Sequence, residues 1–238
     1  MFLGRTFAVS LAALTALLAG TTSTAHASDD TVNAYGASIT LPLGLRFRPA
    51  PEAEAGNPAA EVASINVGTV STGAVAVEVE RKTAVGTESA RASVDGLNAA
   101  LLGVGFTAGS VRAECTAVAG QPTTGSTTLA DARVLGTTLD SSPAAGTTFL
   151  FPPLLPLVEV RLNEQIPNAD GSLTVHGMRV RALSGDGDVI LSSATCGPAT
   201  LDAPSDAPLA SGAGLYMALG LAAAGGGAML LRRRRRFG

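Results

Sequence analysis

The chain contains no tryptophan, two tyrosines, two histidines and two cysteines in 238 residues. Charged side chains make up 15% of it, against about 25% in an ordinary soluble protein. Each scarcity removes a class of function. Aromatics at 4%, with no tryptophan, leave little from which to build a stacking platform for sugar rings. Low charge excludes disorder driven by like-charge repulsion, and two cysteines exclude a disulfide-dense mini-protein. No Gly-X-Y repetition is present, so a collagen-like rod is excluded. No nucleophile elbow, phosphate-binding loop or zinc helix can be read anywhere.

What is present is unevenly placed. Residues 1–27 and 207–238 hold 34 apolar residues in 59, whereas 28–206 hold 76 in 179. The hydrophobic excess therefore belongs to the ends. At the N-terminus, Arg5 precedes an apolar run from Phe7 to Ala19, and Ala25-His26-Ala27 offers small residues where signal peptidase requires them. The expected cleavage lies between Ala27 and Ser28, making 1–27 a signal peptide. At the C-terminus no charge occurs from Ala207 to Leu231, about the length needed to span a hydrocarbon core of about 30 Å. We place a single transmembrane helix at 209–231 and a basic tail at 232–238. Arg232, Arg233, Arg234, Arg235 and Arg236 act as its cytoplasmic stop, so the preceding domain faces outward. A sorting pentapeptide would stand at Leu209-Ala210-Ser211-Gly212-Ala213, but the threonine that a sortase attacks is missing. Membrane retention is the reading; covalent wall attachment is the alternative.

The segment between is acidic. All 19 Asp and Glu residues lie in 28–206, with 10 of the 16 Lys and Arg, so a domain near −9 hides inside an overall −3. That balance argues against nucleic acid or anionic lipid as a partner. Period-two alternation marks strands with one buried face at 75–80, 111–115 and 158–162, and further strands are expected at 35–41, 64–71, 128–138, 172–183 and 188–195. Asn168-Ala169-Asp170-Gly171 and Gly185-Asp186-Gly187-Asp188 read as reversals. Only 88–102, with Ala92, Leu97, Ala100 and Leu101, has apolar spacing that suits a helix. Pro49 to Ala60 reads as a surface loop, and 197–208 as a Pro-rich stalk. The expected fold is all-β, a single β-sandwich-like ectodomain over 28–196.

Candidate chemistry is thin. Cys115 and Cys196 form an even pair in an exported chain, which points to a disulfide closing a loop of about 80 residues, worth at most about 4.5 kcal/mol. A metal pair or a catalytic thiol would need companions that the sequence does not supply. His176, in the strand Thr174-Val175-His176-Gly177-Met178, reads as a structural residue sharing a face with Met178 and Val180. Asp170, Asp186 and Asp188 lack the spacing of a calcium loop. Glu78 with Glu80, or Glu159 with Glu164, would suit a glycosidase only if a cleft joined them; as strand residues Glu78, Glu80 and Glu159 read as solvent-facing. No catalytic, cofactor-binding or metal-binding residue and no small-molecule substrate is expected.

Three stretches carry a family likeness: Ala34-Tyr35-Gly36-Ala37; Leu101-Leu102-Gly103 through Ala108 to Cys115; and Val158 to Gln165 with Gly171 to Val175 and Ala194-Thr195-Cys196. In these the chain resembles the choice-of-anchor P family of actinobacterial surface proteins, an exported domain followed by varying C-terminal anchors. His176 and Arg179 depart from the family's usual Asn and His at those places. The resemblance implies an address at the cell surface. The function expected is a structural or interaction module of the cell envelope, anchored in the membrane by its C-terminal helix. An adhesin or binder of a cell-wall glycan is the alternative, and a surface hydrolase a third reading.

Overall fold

The computed structural model describes residues 32–201, and within them the alternating segments form strands. In chain order these are β1 (Asn33–Thr40), β2 (Arg46–Glu54), β3 (Ala59–Val62), β4 (Asn66–Val67), β5 (Val70–Ser71), β6 (Val75–Lys82), β7 (Thr87–Leu101) and β8 (Val104–Val118). There follow β9 (Thr124–Ala130), β10 (Arg133–Val134), β11 (Thr137–Thr138), β12 (Thr147–Phe151), β13 (Val158–Pro167), β14 (Leu173–Ala182) and β15 (Asp188–Cys196). The only helical elements among the described residues are single 3-10 turns at Pro42–Gly44 and Thr83–Val85. No helix there is long and apolar enough to cross a membrane.

Two sheets pack face to face. The six-stranded sheet runs β12-β13-β14-β15-β1-β2. The nine-stranded sheet is built on the long β7–β8 hairpin, paired from Thr87 with Val118 to Leu101 with Val104. Along its β7 edge lie β6 and then β5; along its β8 edge lie β9 and then β10. β2 leaves the first sheet through the two-residue turn Ala55-Gly56, closed by paired bonds between Glu54 and Asn57, and enters the second sheet as β3. β1 begins and β15 ends side by side, Asn33 opposite Thr195, so both ends of the described chain leave from one end of the sandwich.

The alternation that predicts these strands changes phase midway along them. Core residues are Ala34 then Ala37 in β1, Val94 then Leu97 in β7, Ala108 then Val111 in β8, Val175 then Met178 in β14, and Leu191 then Ala194 in β15. Each step is three residues, where a regular strand gives two. The register on either side is unchanged, so the irregular residues stand opposite one another. They form a row Gly36-Ser192-Gly177-Asn163 across one sheet and Gly96-Gly109-Asp131 across the other. Every second member is left-handed: Asn163 (φ 52°), Ser192 (φ 56°), Gly96 (φ 58°) and Asp131 (φ 50°). Asn and Asp tolerate that region better than other residues with a side chain. Asn163 donates Nδ2–H to Pro143 O at 2.9 Å, and Ser192 donates Oγ–H across the sandwich to Val111 O at 2.7 Å, which holds two of these strained positions. The glycines between them admit the facing sheet: a Cβ on Gly36 would lie 2.0 Å from Val75 Cγ1, and one on Gly177 would lie 2.9 Å from Val111 Cγ1.

The row also divides the core. On the side of the chain ends, one apolar cluster is built largely from alanines, namely Ala34, Ala53, Ala90, Ala92, Ala113, Ala117 and Ala194, with Cys115, Cys196 and a few valines. The other cluster holds the large side chains, including Ile39, Leu101, Phe106, Leu162, Met178 and Leu191.

Five expectations need correction, the first being the strand at 64–71, which folds back at Gly68-Thr69 into the short hairpin of β4 and β5. Residues 88–102 are strand β7, because the three-residue step from Val94 to Leu97 imitates helical spacing. Pro49 to Ala60 is strand and tight turn; β2 sits at a sheet edge, where proline's missing N–H costs no ladder bond. The 128–138 strand is broken at Asp131, after β9, and again at the Leu135-Gly136 turn between β10 and β11. The expected stalk starts too early: Gly197 N–H donates to Glu88 Oε2 at 3.2 Å, Ala199 packs on the core, and Leu201 lies against Gly86. The signal segment with Ala27 and Ser28, the rest of the stalk, the apolar segment 209–231 and Arg232 to Arg236 lie outside the described residues.

Candidate functional site

Past the phase change, side chains expected in the core emerge on the outer face of the six-stranded sheet. His176 does not share a face with Met178 and Val180. It is buried on the outer face, its ring Nδ1–H 3.0 Å from Glu164 Oε2. Glu164 is delivered to that face by the left-handed Asn163. Ahead of the row, ordinary alternation places Glu159, Arg161, Arg179, Arg181 and Asp188 there as well.

These groups form one connected array. Glu159 accepts from Arg161 Nε at 2.8 Å and from Arg181 at 2.7 Å. Arg161 reaches on to Glu164 at 2.9 Å. Glu164 also accepts from Arg179 at 3.3 Å, and Arg179 grips Asp188 through two nitrogens at 3.0 and 2.6 Å. Three arginines balance three carboxylates, and His176 joins the array at its edge through Glu164. Glu159 and Glu164 are therefore not solvent-facing: the guanidinium groups lie over both and bury them. Glu78 and Glu80 are exposed, as expected, with Glu80 paired to Lys82 at 2.7 Å.

The electrostatics follow from these contacts. The hydrogen bond from His176 is the largest influence on Glu164; against the opposing effect of burial, it joins Arg161 and Arg179 in pulling the carboxyl down to about 2. Burial pushes Glu159 up, but hydrogen bonds from Arg161 and Arg181 outweigh it and hold the group below its ordinary value. Both carboxylates are thus ionised and saturated with donors, and neither is a general acid of the kind glycoside hydrolysis requires. Ser193, directly across from His176, has its hydroxyl fully buried and makes no hydrogen bond to the ring. The three residue types of a hydrolytic triad are neighbours, without the contact that activates a nucleophile. Tyr35, opposite Ser193, completes this face, and burial pushes its hydroxyl above the ordinary value.

Glu164 makes the array pH-sensitive in a defined direction. Its folded value lies below its unfolded one, so its contribution is complete above about 4.5 and is lost as pH falls towards about 2. Thermal unfolding should therefore show the midpoint dropping through that window. Glu164→Gln should lower the midpoint at pH 7 and flatten the drop; an unchanged acid profile in the variant would remove Glu164 from the account.

The acidic reversal at Asp170 serves its own turn. Its Oδ1 accepts from Ser172 N at 2.9 Å and Ser172 Oγ at 2.7 Å. Among the described residues no group of three His, Cys, Asp or Glu side chains is placed to hold a metal ion. Cys115 and Cys196 are joined, with Cα atoms 5.8 Å apart, inside the alanine-rich half of the core. Phe106 and Phe151 are buried and Phe47 and Phe149 pack on the core, so the described phenylalanines present no ring platform.

The nine-stranded sheet carries a different feature on its outer face. A shallow open groove of about 540 Å³ runs over β3, β6, β7 and β8, with Ala76 and Ser93 as its floor. Glu61, Glu78, Arg91, Arg112 and Glu114 stand along it; Arg91 and Glu114 approach to 3.6 Å and remain more than half exposed.

Sequence reasoning missed Arg161, Arg179, Arg181 and Asp188. Plain alternation with Val160, Leu162, Met178, Val180 and Val189 already puts these four on the outer face; what local spacing does not carry is the pairing of β13, β14 and β15 that brings them together. Comparison with protein-family models, with curated proteins and with solved structures found no match to this chain.

Proposed function

We propose that the chain is an exported, membrane-anchored protein of the cell surface, a structural or interaction module of the envelope related to the choice-of-anchor P proteins. The observation that carries this reading is the buried disulfide in a domain whose two ends leave together. A structural disulfide of this kind belongs to an oxidising compartment. The signal pattern before Val32, and the uncharged segment and five arginines after Leu201, then emerge from the same end of the sandwich. The charge-balanced outer face favours display over chemistry, because its carboxylates already have their partners. Fractionation after muramidase digestion tests the anchor. The chain is expected in the membrane pellet, and release into the soluble wall fraction would contradict retention.

The second reading, a binder of an envelope polymer, is favoured by the groove over β3, β6, β7 and β8. Its exposed charges of both signs above a small-residue floor suit an extended polar chain. Pull-down on isolated peptidoglycan separates the two readings: retention that is abolished by Arg112→Glu supports the binder, and no retention supports the structural module.

A further inference from the structure

Strand pairing sets the side chains of the groove on the nine-stranded sheet in two rows. Read across β3, β6, β7 and β8, one row is Glu61-Ala76-Ser93-Arg112 and the next is Ala59-Glu78-Arg91-Glu114. The signs reverse about a line between β6 and β7. A carboxylate on β3 answers a guanidinium on β8, and a carboxylate on β6 answers a guanidinium on β7. Glu61 and Arg112 stand three strand spacings apart, about 14 Å, too far to pair within one chain. Among the described residues Glu61, Glu78 and Arg112 enter no ion pair, and all three are exposed. The face therefore holds a pattern of charge that its own chain leaves unmatched at these positions.

We propose that this face pairs with the same face of a second copy of the chain, about a two-fold axis that runs along the strands between β6 and β7. Such an axis lays β3 of one copy over β8 of the other, and β6 over β7. Glu61 then faces Arg112 of the second copy, Glu78 faces its Arg91, and Ala76 faces its Ser93; each contact occurs twice. Glu114, already 3.6 Å from Arg91, faces Ala59. In the flanking rows Glu80 faces Ser89 and Asp95 faces Ala74, so in these four rows no two charges of one sign oppose each other. Sign reversal about one axis is what an isologous contact requires, because the same patch must complement itself. A partner of one sign would satisfy half of the face and be repelled by the rest. The floor answers the question of space. Facing sheets lie about 10 Å apart, too close for an upright glutamate and an upright arginine to oppose each other. Ala76 and Ser93 leave the room into which these long side chains lean. Aligned sheets cross at about 30°, which moves the outermost facing pair by about 4 Å, within the reach of an arginine. Four strands over these rows cover roughly 500 Å² of each copy, the scale of a weak, reversible pair. Because the axis follows the strands, both copies point the same way and their chain ends leave from one side.

This proposal rests on the interaction-module reading and names its partner; the muramidase fractionation tests the address separately. The experiment uses the full chain carrying either of two tags, mixed in detergent and captured through one of them. The wild-type chain should bring down its differently tagged copy. Glu61→Arg sets arginine against arginine at both ends of the interface, and Arg112→Glu sets glutamate against glutamate. Capture within either variant should fall by about tenfold or more. A mixture of the two variants should recover it, because every facing pair then carries opposite signs. Both side chains are exposed and outside any ion pair, so the fold survives each change. Glu52→Arg, the same charge change on the exposed edge of the other sheet, should leave capture unchanged. A wild-type chain that brings down no copy overturns the pairing, and its retention on peptidoglycan would then give the groove to the polymer of the second reading. Capture that ignores both substitutions overturns the pairing as well, as does a mixture that fails to recover. None of these outcomes bears on location at the cell surface, so the two failures are told apart.

Discussion

Gly36→Ala is expected to destabilise the domain by about 3 kcal/mol or more, as judged by chemical denaturation, although it adds a single methyl group. The new Cβ would lie 2.0 Å from Val75 Cγ1, 2.9 Å from Pro51 Cδ and 3.0 Å from Ala50 O. Val75 cannot yield, because its branched side chain is fully buried and fills the space that the row of small residues leaves. Pro51 and the Ala50 carbonyl belong to the neighbouring strand, so relief requires the sheets to part. Gly105→Ala is the control: no atom lies within 4 Å of its Cβ position and its φ is negative, so its effect should stay within about 0.5 kcal/mol. Equal effects at the two positions would contradict close approach of the sheets at the Gly36 row.

The second large effect belongs to the disulfide. Cys115 and Cys196 are 81 residues apart, and the chain-entropy model gives the closed loop about 4.5 kcal/mol. Total stability of a domain is about 5–15 kcal/mol, so Cys115→Ala with Cys196→Ala should bring this one near the threshold of unfolding. The loss should also be local. The half of the core around the bond is largely alanine, and each alanine buries little apolar surface. Hydrogen exchange of the double variant should accelerate first at Ala113–Ala117 and Leu173–Val175, and later at Leu101–Phe106, where the large side chains lie. Uniform acceleration would show that the two halves of the core unfold as one unit.

Much of the fold is legible in sequence because valine alternation is a local signal. Val75, Val77 and Val79 announce β6, and Val158, Val160 and Leu162 announce β13. The cysteine pair is equally plain, since an even count in an exported chain leaves few alternatives. What the local signal cannot carry is a change of phase. Val94 and Leu97 both face the core three residues apart, so β7 reads as helix; Val175 and Met178 do the same, so His176 is assigned to the wrong face. The charged array is hidden for a second reason. Arg179 meets Asp188 across 9 residues and Arg181 meets Glu159 across 22, and only strand pairing brings them together.

The proposed removal of a leader, the disulfide and the proposed C-terminal anchor are all read at once by the intact mass of the chain extracted from the membrane pellet. The account predicts a polypeptide that begins at Ser28 and retains the segment 209–238, two hydrogens lighter than its reduced form. A mass that starts at Met1 with two free thiols would contradict export, and one that ends upstream of Ala207 would contradict retention by the C-terminal segment.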